Sequence, residues 1–114
     1  LMSKAKQALT MKGPAFLNVL SPCPLGWKSD TKDTQNLARL AVDTCLWPLF
    51  EIVGGKFRLT FQPLEKKPVT EYLKLQGRFA HLFRPGNEAV LEKIQEETDK
   101  QWERLLKADE GAGD

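Results

Sequence analysis

The sequence has few of the residues that most often carry catalysis: two cysteines, one histidine and one tyrosine among 114 residues. It contains no glycine-rich phosphate loop, no nucleophile paired with a base and no His/Cys cluster at metal-ligand spacing. The single histidine, His81, has no carboxylate or nucleophile at a suggestive spacing, so we expect it to be exposed or half-buried. No catalytic constellation is therefore complete within these residues.

The sequence also lacks a hydrophobic run of membrane-spanning length and a signal-peptide pattern. Hydrophobic residues make up 41% and charged residues 28%, which is typical of one small globular domain. We therefore expect a cytoplasmic chain with reduced cysteines and no membrane partner. Because Leu1 precedes Met2, we also expect a fragment or a processed product.

Acidic residues are scarce in the first 80 residues, and basic residues are outnumbered in the last 34. Residues 1–80 carry 12 Lys and Arg against 6 Asp and Glu, whereas residues 81–114 carry 5 against 9. The basic part has no aromatic residues interleaved in the manner of single-strand nucleic-acid readers, so no nucleic-acid partner is expected. The polarity indicates mild steering or subunit docking, or simply a solvated surface.

One short segment stands out against this background, Ser-Pro-Cys-Pro-Leu-Gly-Trp at residues 21–27. It follows an apolar run and precedes a helix-start cluster, which is the order expected at the carboxyl edge of a sheet, where ligands bind. The flanking prolines stiffen the loop around Cys23 and remove two backbone donors, so we expect the thiol to be displayed on this loop and not buried on a helix face. Trp27 is positioned to shield the site from water.

Cys23 has two interpretations from the residues alone. It is a candidate metal ligand, most plausibly for an iron–sulfur cluster, because thiolates hold such clusters and a Cys-Pro pair ends one common ligand run. The commoner alternative is a small buried hydrophobe. One cysteine cannot hold a four-iron cluster, so the ligand interpretation requires further thiolates outside this chain.

The pattern along the first half of the chain indicates an α/β fragment. Residues 2–11 predict the last turns of a helix, and the nearly continuous apolar residues 15–20 predict a strand buried on both faces, as in a parallel sheet. Residues 31–46 predict a helix, capped by Asp30 or Thr31, with its apolar residues at 3, 4 spacing. Cys45 falls on that apolar stripe, so we interpret it as a core residue.

A β-hairpin is predicted at residues 49–61, because Gly54-Gly55 is a strong two-residue turn signal. Pairing across this turn places Ile52 opposite Phe57, Phe50 opposite Leu59 and Glu51 opposite Arg58. Beyond the hairpin we predict a short helix from Pro68, broken at Gly77, and a long helix over residues 87–107. The tail, residues 110–114, is expected not to fold.

Five segments of the sequence occur in the order found in a known family. They lie at residues 13–16, 19–27, 38–42, 46–51 and 67–79, the last containing Tyr-Leu-Lys-Leu-Gln-Gly-Arg-Phe. In this arrangement the chain resembles the C-terminal part of the β subunit of pyruvate:ferredoxin oxidoreductase (pyruvate synthase). The Ser-Pro-Cys-Pro and Gly-Trp signature is its most specific part.

The resemblance implies a thiamine-diphosphate enzyme that converts pyruvate and coenzyme A to acetyl-CoA and carbon dioxide while reducing ferredoxin, or runs in reverse. It implies that Cys23 is the fourth ligand of the proximal [4Fe-4S] cluster, with three cysteines in the N-terminal part of the subunit. The implied partners are the rest of the β subunit, the other subunits and ferredoxin.

The same resemblance divides the chain into the end of a thiamine-diphosphate-binding α/β domain at residues 1–48, the hairpin at 49–62 and a C-terminal helical extension at 63–114. The Gly-Asp-Gly motif that holds Mg²⁺ and diphosphate in the family is absent, as is the N-terminal Cys-x-x-Cys, so this segment alone should not bind thiamine diphosphate or catalyse. At position 45 the family pattern favours a small residue such as glycine. The alternatives are an oxidoreductase for 2-oxoglutarate or branched 2-oxoacids, or a non-catalytic interaction or assembly module.

Overall fold

The computed structural model describes residues 1–112 and contains five α-helices, two 3₁₀ helices and one two-stranded sheet within them. The α-helices are α1 (Met2–Thr10), α2 (Pro24–Trp27), α3 (Thr34–Asp43), α4 (Val69–Leu73) and α5 (Glu88–Ala112), the strands are β1 (Phe50–Val53) and β2 (Lys56–Leu59), and the 3₁₀ helices are Thr31–Asp33 and Gly77–Phe83. The predicted α/β make-up, with a hairpin and a long C-terminal helix, is confirmed.

The core lies between α3 and α4. Because apolar residues recur at 3, 4 spacing along α3, one face of that helix is buried, and the apolar residues of α4 pack on it. The buried cluster consists of Leu37, Leu40, Ala41, Val69, Tyr72 and Leu73. Thr44 is fully buried at the end of this face and satisfies its hydroxyl by donating to the Leu40 carbonyl oxygen at 2.7 Å. The predicted apolar stripe is thus confirmed, but the helix predicted over residues 31–46 is an α-helix only over Thr34–Asp43, preceded by the 3₁₀ helix Thr31–Asp33.

The hairpin forms in the predicted register. Phe50 pairs with Leu59, Glu51 with Arg58 and Ile52 with Phe57 in an antiparallel ladder. Gly54 and Gly55 have φ values of 58° and 77°, which residues with a side chain rarely adopt, and this explains why the turn requires glycine. The turn and the apolar pattern therefore specify the same pairing.

Charged side chains contact both outer edges of the hairpin. The Lys4 Nζ of α1 donates to the Phe50 carbonyl oxygen at 3.0 Å, and the Leu59 amide donates to the Asp109 carboxylate of α5 at 2.7 Å. Phe50 and Leu59 face each other at a non-hydrogen-bonded pair, so these two backbone groups point away from the ladder. The first and last helices are in this way attached to opposite edges of one ribbon.

The prediction of a buried strand at residues 15–20 is wrong for the described part of the chain. The structure shows no strand there, and Phe16 and Val19 are 88% and 54% exposed. A single extended segment leaves both backbone edges unpaired, and residues 1–112 contain no strand that pairs with it. Leu20, at the end of the segment, is the residue that reaches the core.

Helix α5 covers β2 and α4 and is longer than the sequence pattern predicts. Its inner face presents Leu91 and Ile94 to the core, and the Gln95 side-chain oxygen accepts from the Val69 amide at 2.9 Å. The helix continues through Ala112, so the expectation that residues 110–112 do not fold is wrong, whereas Gly113 and Asp114 lie outside the described residues. None of the helices in residues 1–112 is long and apolar enough to cross a membrane.

Candidate functional site

Cys23 lies at the surface and is the residue that caps the N-terminus of α2. Its backbone is extended, with φ −116° and ψ 100°, and its Sγ accepts a hydrogen bond from the Gly26 amide at 3.3 Å. Pro24 occupies the first turn of α2, where its missing N–H leaves no donor unsatisfied. The sequence predicted a thiol displayed on a stiff loop, and the exposed, hydrogen-bonded Cys23 agrees with that prediction.

Gly26 lets the backbone approach the sulfur closely. A Cβ built at this position would lie 3.3 Å from the Cys23 Sγ, which is tighter than most such contacts. A backbone N–H directed at a cysteine sulfur stabilises its anionic, metal-binding form and is one of the features that set cluster potentials. The loop therefore presents an exposed cysteine whose sulfur accepts one backbone hydrogen bond.

Trp27, the last residue of α2, connects this loop to the core. Its ring meets the Tyr72 ring edge-on, with 6.1 Å between centroids and 82° between planes. The guanidinium carbon of Arg78 lies 4.3 Å from the centroid of the Trp27 ring, within cation–π range. Trp27 is half-buried, and its role as a shield against water stays a prediction.

The end of the Cys23 loop contacts a distant part of the chain at Lys28. Lys28 has φ 53° and ψ 48°, and its carbonyl oxygen accepts from the Gly77 amide at 2.8 Å. A Cβ on Gly77 would lie 2.8 Å from the Lys28 Cβ and 2.9 Å from the Lys28 oxygen, so only glycine fits this contact without a shift. The sequence pattern identified Gly77 only as a helix breaker.

Arg78 is held over Trp27 by a short chain of hydrogen bonds. Its Nε donates to the Gln76 side-chain oxygen at 2.7 Å, and the Gln76 Nε2 donates to the Tyr72 carbonyl oxygen at 2.9 Å. Gln76 is 1% exposed, so its amide is fixed by the core around it. Sequence reasoning missed Arg78, although its place directly after the breaking glycine and near two aromatic residues was a usable signal.

Cys45 occupies the opposite environment. It is 3% exposed and has φ 62°, a conformation that favours glycine and so accounts for the small residue expected there. Burial raises the pKa of the Cys45 thiol, and the positive charge of Lys66 offsets part of that increase. The interpretation of Cys45 as a core residue is confirmed.

The other candidates do not join Cys23. His81 is exposed, as predicted, and its backbone oxygen accepts from the Asn87 side-chain amide at 2.7 Å and from the Arg84 backbone amide at 3.4 Å. Across residues 1–112 no three His, Cys, Asp or Glu side chains come together in a way that could hold a metal ion. Within the described part of the chain, Cys23 is a single donor and not a complete site.

Comparison with known proteins finds that this chain is similar to oxidoreductase subunits, although no family model matches it. Pyruvate synthase subunit PorB of Thermotoga maritima is 43% identical over 109 residues, which cover 95% of this chain and 34% of that protein. PorB of Methanocaldococcus jannaschii is 43% identical over 91% of the chain. The resemblance identified from the sequence is confirmed.

A second kind of subunit is almost equally similar. Ketoisovalerate oxidoreductase subunit VorB of Pyrococcus abyssi is 40% identical over 98% of this chain and 35% of its own length. The chain thus spans about one third of the length of the curated relatives that it matches.

Proposed function

We propose that this chain is the C-terminal part of a 2-oxoacid:ferredoxin oxidoreductase subunit, and that Cys23 supplies one thiolate to its proximal [4Fe-4S] cluster. The observation that carries the proposal is the exposed Cys23 Sγ, held by the Gly26 amide at the start of α2. The similarity to PorB and VorB extends over 95% and 98% of the chain and supports the same assignment.

The donor chemistry of the loop fits an iron–sulfur cluster. Cysteine thiolates are the usual cluster ligands, and a sulfur that already accepts one backbone N–H still has capacity to bind iron. When bound, the cluster would take up electrons one at a time. This chain would bind it through Cys23, direct the Gly26 N–H at the sulfur and exclude water on the Trp27 side.

The remaining parts of the activity belong to residues outside this chain. Thiamine diphosphate with Mg²⁺ would stabilise the carbanion left by decarboxylation. We propose that coenzyme A and ferredoxin act with the assembled enzyme in the cytoplasm, giving acetyl-CoA from pyruvate or the reverse. The division at residues 1–48, 49–62 and 63–114 remains part of this proposal.

Pyruvate is the proposed substrate, and a branched 2-oxoacid is the second candidate. The second is favoured by the VorB relatives, whose identity of 40–41% is close to the 42–43% of the PorB relatives. Rates of ferredoxin reduction by the intact enzyme with pyruvate, 2-oxoisovalerate and 2-oxoglutarate would separate the three. A clear preference for 2-oxoisovalerate would replace pyruvate in the proposal.

The ligand role is tested by comparing two cysteine substitutions in the full-length subunit. Cys23→Ser should lower the bound iron and acid-labile sulfide and alter the electron paramagnetic resonance signal of the reduced cluster, because a hydroxyl is a poor substitute for thiolate. Cys45→Ser, at a buried position, is the matched control and should leave both unchanged. Full iron content and an unchanged signal in Cys23→Ser would refute the assignment.

A metal-free assembly module is the remaining candidate, and the exposed apolar residues near the N-terminus favour it. Phe16 and Leu9 are 88% and 87% exposed, as they would be on a surface that docks onto another protein. The coding sequence upstream separates the two proposals. Cys-x-x-Cys and Gly-Asp-Gly motifs there would support the enzyme, whereas their absence would support the module.

A further inference from the structure

The Cys23 loop is fixed at one end by a segment 50 residues further along the chain. This clamp, defined as residues 76–79, contacts the loop through two independent interactions. The Gly77 amide binds the Lys28 oxygen at 2.8 Å, and the Arg78 guanidinium lies 4.3 Å from the Trp27 ring centroid. Both contacts fall on the residues that end α2, the helix whose first turn carries the Cys23 hydrogen bond.

The clamp is itself rigidly supported. Arg78 lies between two rings, 4.3 Å from the centroid of Trp27 and 4.7 Å from that of Phe79, while its Nε is held by Gln76. Gln76 is buried beside Tyr72, whose own ring packs against Trp27. The loop, the guanidinium and the core therefore form one closed set of contacts.

Because α2 is short, contacts that fix its C-terminal end at Trp27 and Lys28 also restrict its N-cap, Cys23. α2 has a single turn, in which the Trp27 amide donates to the Cys23 carbonyl oxygen at 2.8 Å and the Gly26 amide donates to Cys23 Sγ at 3.3 Å. A shift of Trp27 or Lys28 must then change the direction of the Cys23 side chain, because no further turn absorbs it.

We propose that Gly77 and Arg78 are positioning residues that set the orientation of the Cys23 thiolate toward its cluster. This inference rests on the proposed function. Gly77 acts by permitting the close approach to Lys28. Arg78 acts through the cation–π contact of its guanidinium with the Trp27 ring, combined with the directed Nε bond to Gln76. A lysine at position 78 would keep the charge but not the Nε hydrogen bond to Gln76 or the fork geometry of the guanidinium.

The test is made in the full-length subunit within its assembled complex. The variants are Gly77→Ala, Arg78→Met and Arg78→Lys, with Gly111→Ala as the matched glycine control because a Cβ there meets nothing within 4 Å. The readouts are iron content and the g values of the reduced cluster. Circular dichroism reports whether each variant folds, and Cys23→Ser is measured in parallel.

Positioning predicts shifted g values, or partial loss of iron, in Gly77→Ala, Arg78→Met and Arg78→Lys, with Gly111→Ala unchanged. Wild-type g values and iron content in Arg78→Met would overturn the proposal. A wild-type signal in Arg78→Lys with a shift in Arg78→Met would also overturn it, because charge alone would then explain the effect. If Gly77→Ala does not fold, the two Arg78 variants decide.

The two proposals fail in different ways. If Cys23→Ser retains the full cluster, the ligand assignment itself is refuted and the positioning proposal falls with it. If Cys23→Ser loses the cluster while the Arg78 variants keep the wild-type signal, the ligand assignment stands and only the positioning proposal is overturned.

Discussion

The two cysteines of this chain lie at helix ends, Cys23 before α2 and Cys45 after α3, but they differ in solvent exposure. Cys23 is exposed and accepts a backbone hydrogen bond, whereas Cys45 is 3% exposed at a left-handed turn after α3. The Cys23 side chain is therefore open to solvent, whereas the Cys45 side chain packs in the core. The comparison shows that local backbone geometry, more than residue type, separates a candidate ligand from a packing residue.

The largest expected difference between the two regions is in stability. Leu37 is fully buried on the apolar face of α3. Leu37→Ala should destabilise the fold by about 2–5 kcal/mol, because a cavity replaces the side chain. Leu25, in the Cys23 loop, is 90% exposed, and Leu25→Ala should change stability by about 0.5 kcal/mol or less. Urea unfolding measures both, and equal costs would contradict the comparison.

The next difference is in thiol reactivity. In iron-free protein Cys23 should react with iodoacetamide at least about tenfold faster than Cys45, because access and thiolate content control the rate and burial limits both at Cys45. Mass spectrometry of peptides after timed quenching assigns the rate to each residue. Comparable rates at neutral pH would show that the α3 turn opens readily.

A smaller effect is expected at alkaline pH. The pKa of Cys45 is raised in the folded protein, so the unfolded chain releases this proton first as pH rises. The contribution to stability is full below the ordinary thiol pKa and is lost as pH rises through the folded value. Cys45→Ser should therefore lose less stability than wild type between neutral and alkaline pH in urea titrations. An equal loss in both proteins would contradict this contribution of Cys45.

The smallest effect concerns Asp99, whose negative charge contributes to the raised pKa of Cys45. A hydrogen bond from Lys66 lowers the pKa of Asp99, so this pair stabilises the fold above the ordinary Asp range and is lost as pH falls through the lowered value. Asp99→Asn should cost about 0.2–1 kcal/mol at neutral pH, because the pair is partly exposed, and should flatten the acid side of the stability profile. Thermal unfolding across the acid range measures it, and an unchanged acid slope would contradict the role of this pair.

Elements specified by local chemistry could be predicted from the sequence. The hairpin register followed from Gly54-Gly55 and the alternating residues, and the buried face of α3 followed from its spacing. The same spacing predicted the burial of Cys45, which lies just beyond the helix. The exposed Cys23 followed from its flanking prolines. In each case the relevant interactions lie within a few residues of one another, so the pattern contains the information.

Features that depend on distant partners could not be predicted. The apolar residues 15–20 signal burial but not the strand that would cover them, and residues 1–112 supply none. The Gly77–Lys28 hydrogen bond and the Arg78–Trp27 contact join segments that no local pattern relates. Helix α5 runs through Gly111 although glycine is a weak helix former, and part of the reason is that Asp109 is held by β2.

The hydrogen bonds from charged side chains to the two outer edges of the hairpin have a consequence for self-association. An open strand rim with free N–H and C=O groups can recruit strands from other molecules and start aggregates. Here the ammonium of Lys4 occupies the Phe50 carbonyl oxygen and the carboxylate of Asp109 occupies the Leu59 amide. A strand from another molecule would have to displace a charged side chain at either edge. Helices α1 and α5, which carry these side chains, therefore oppose the addition of further strands to the hairpin.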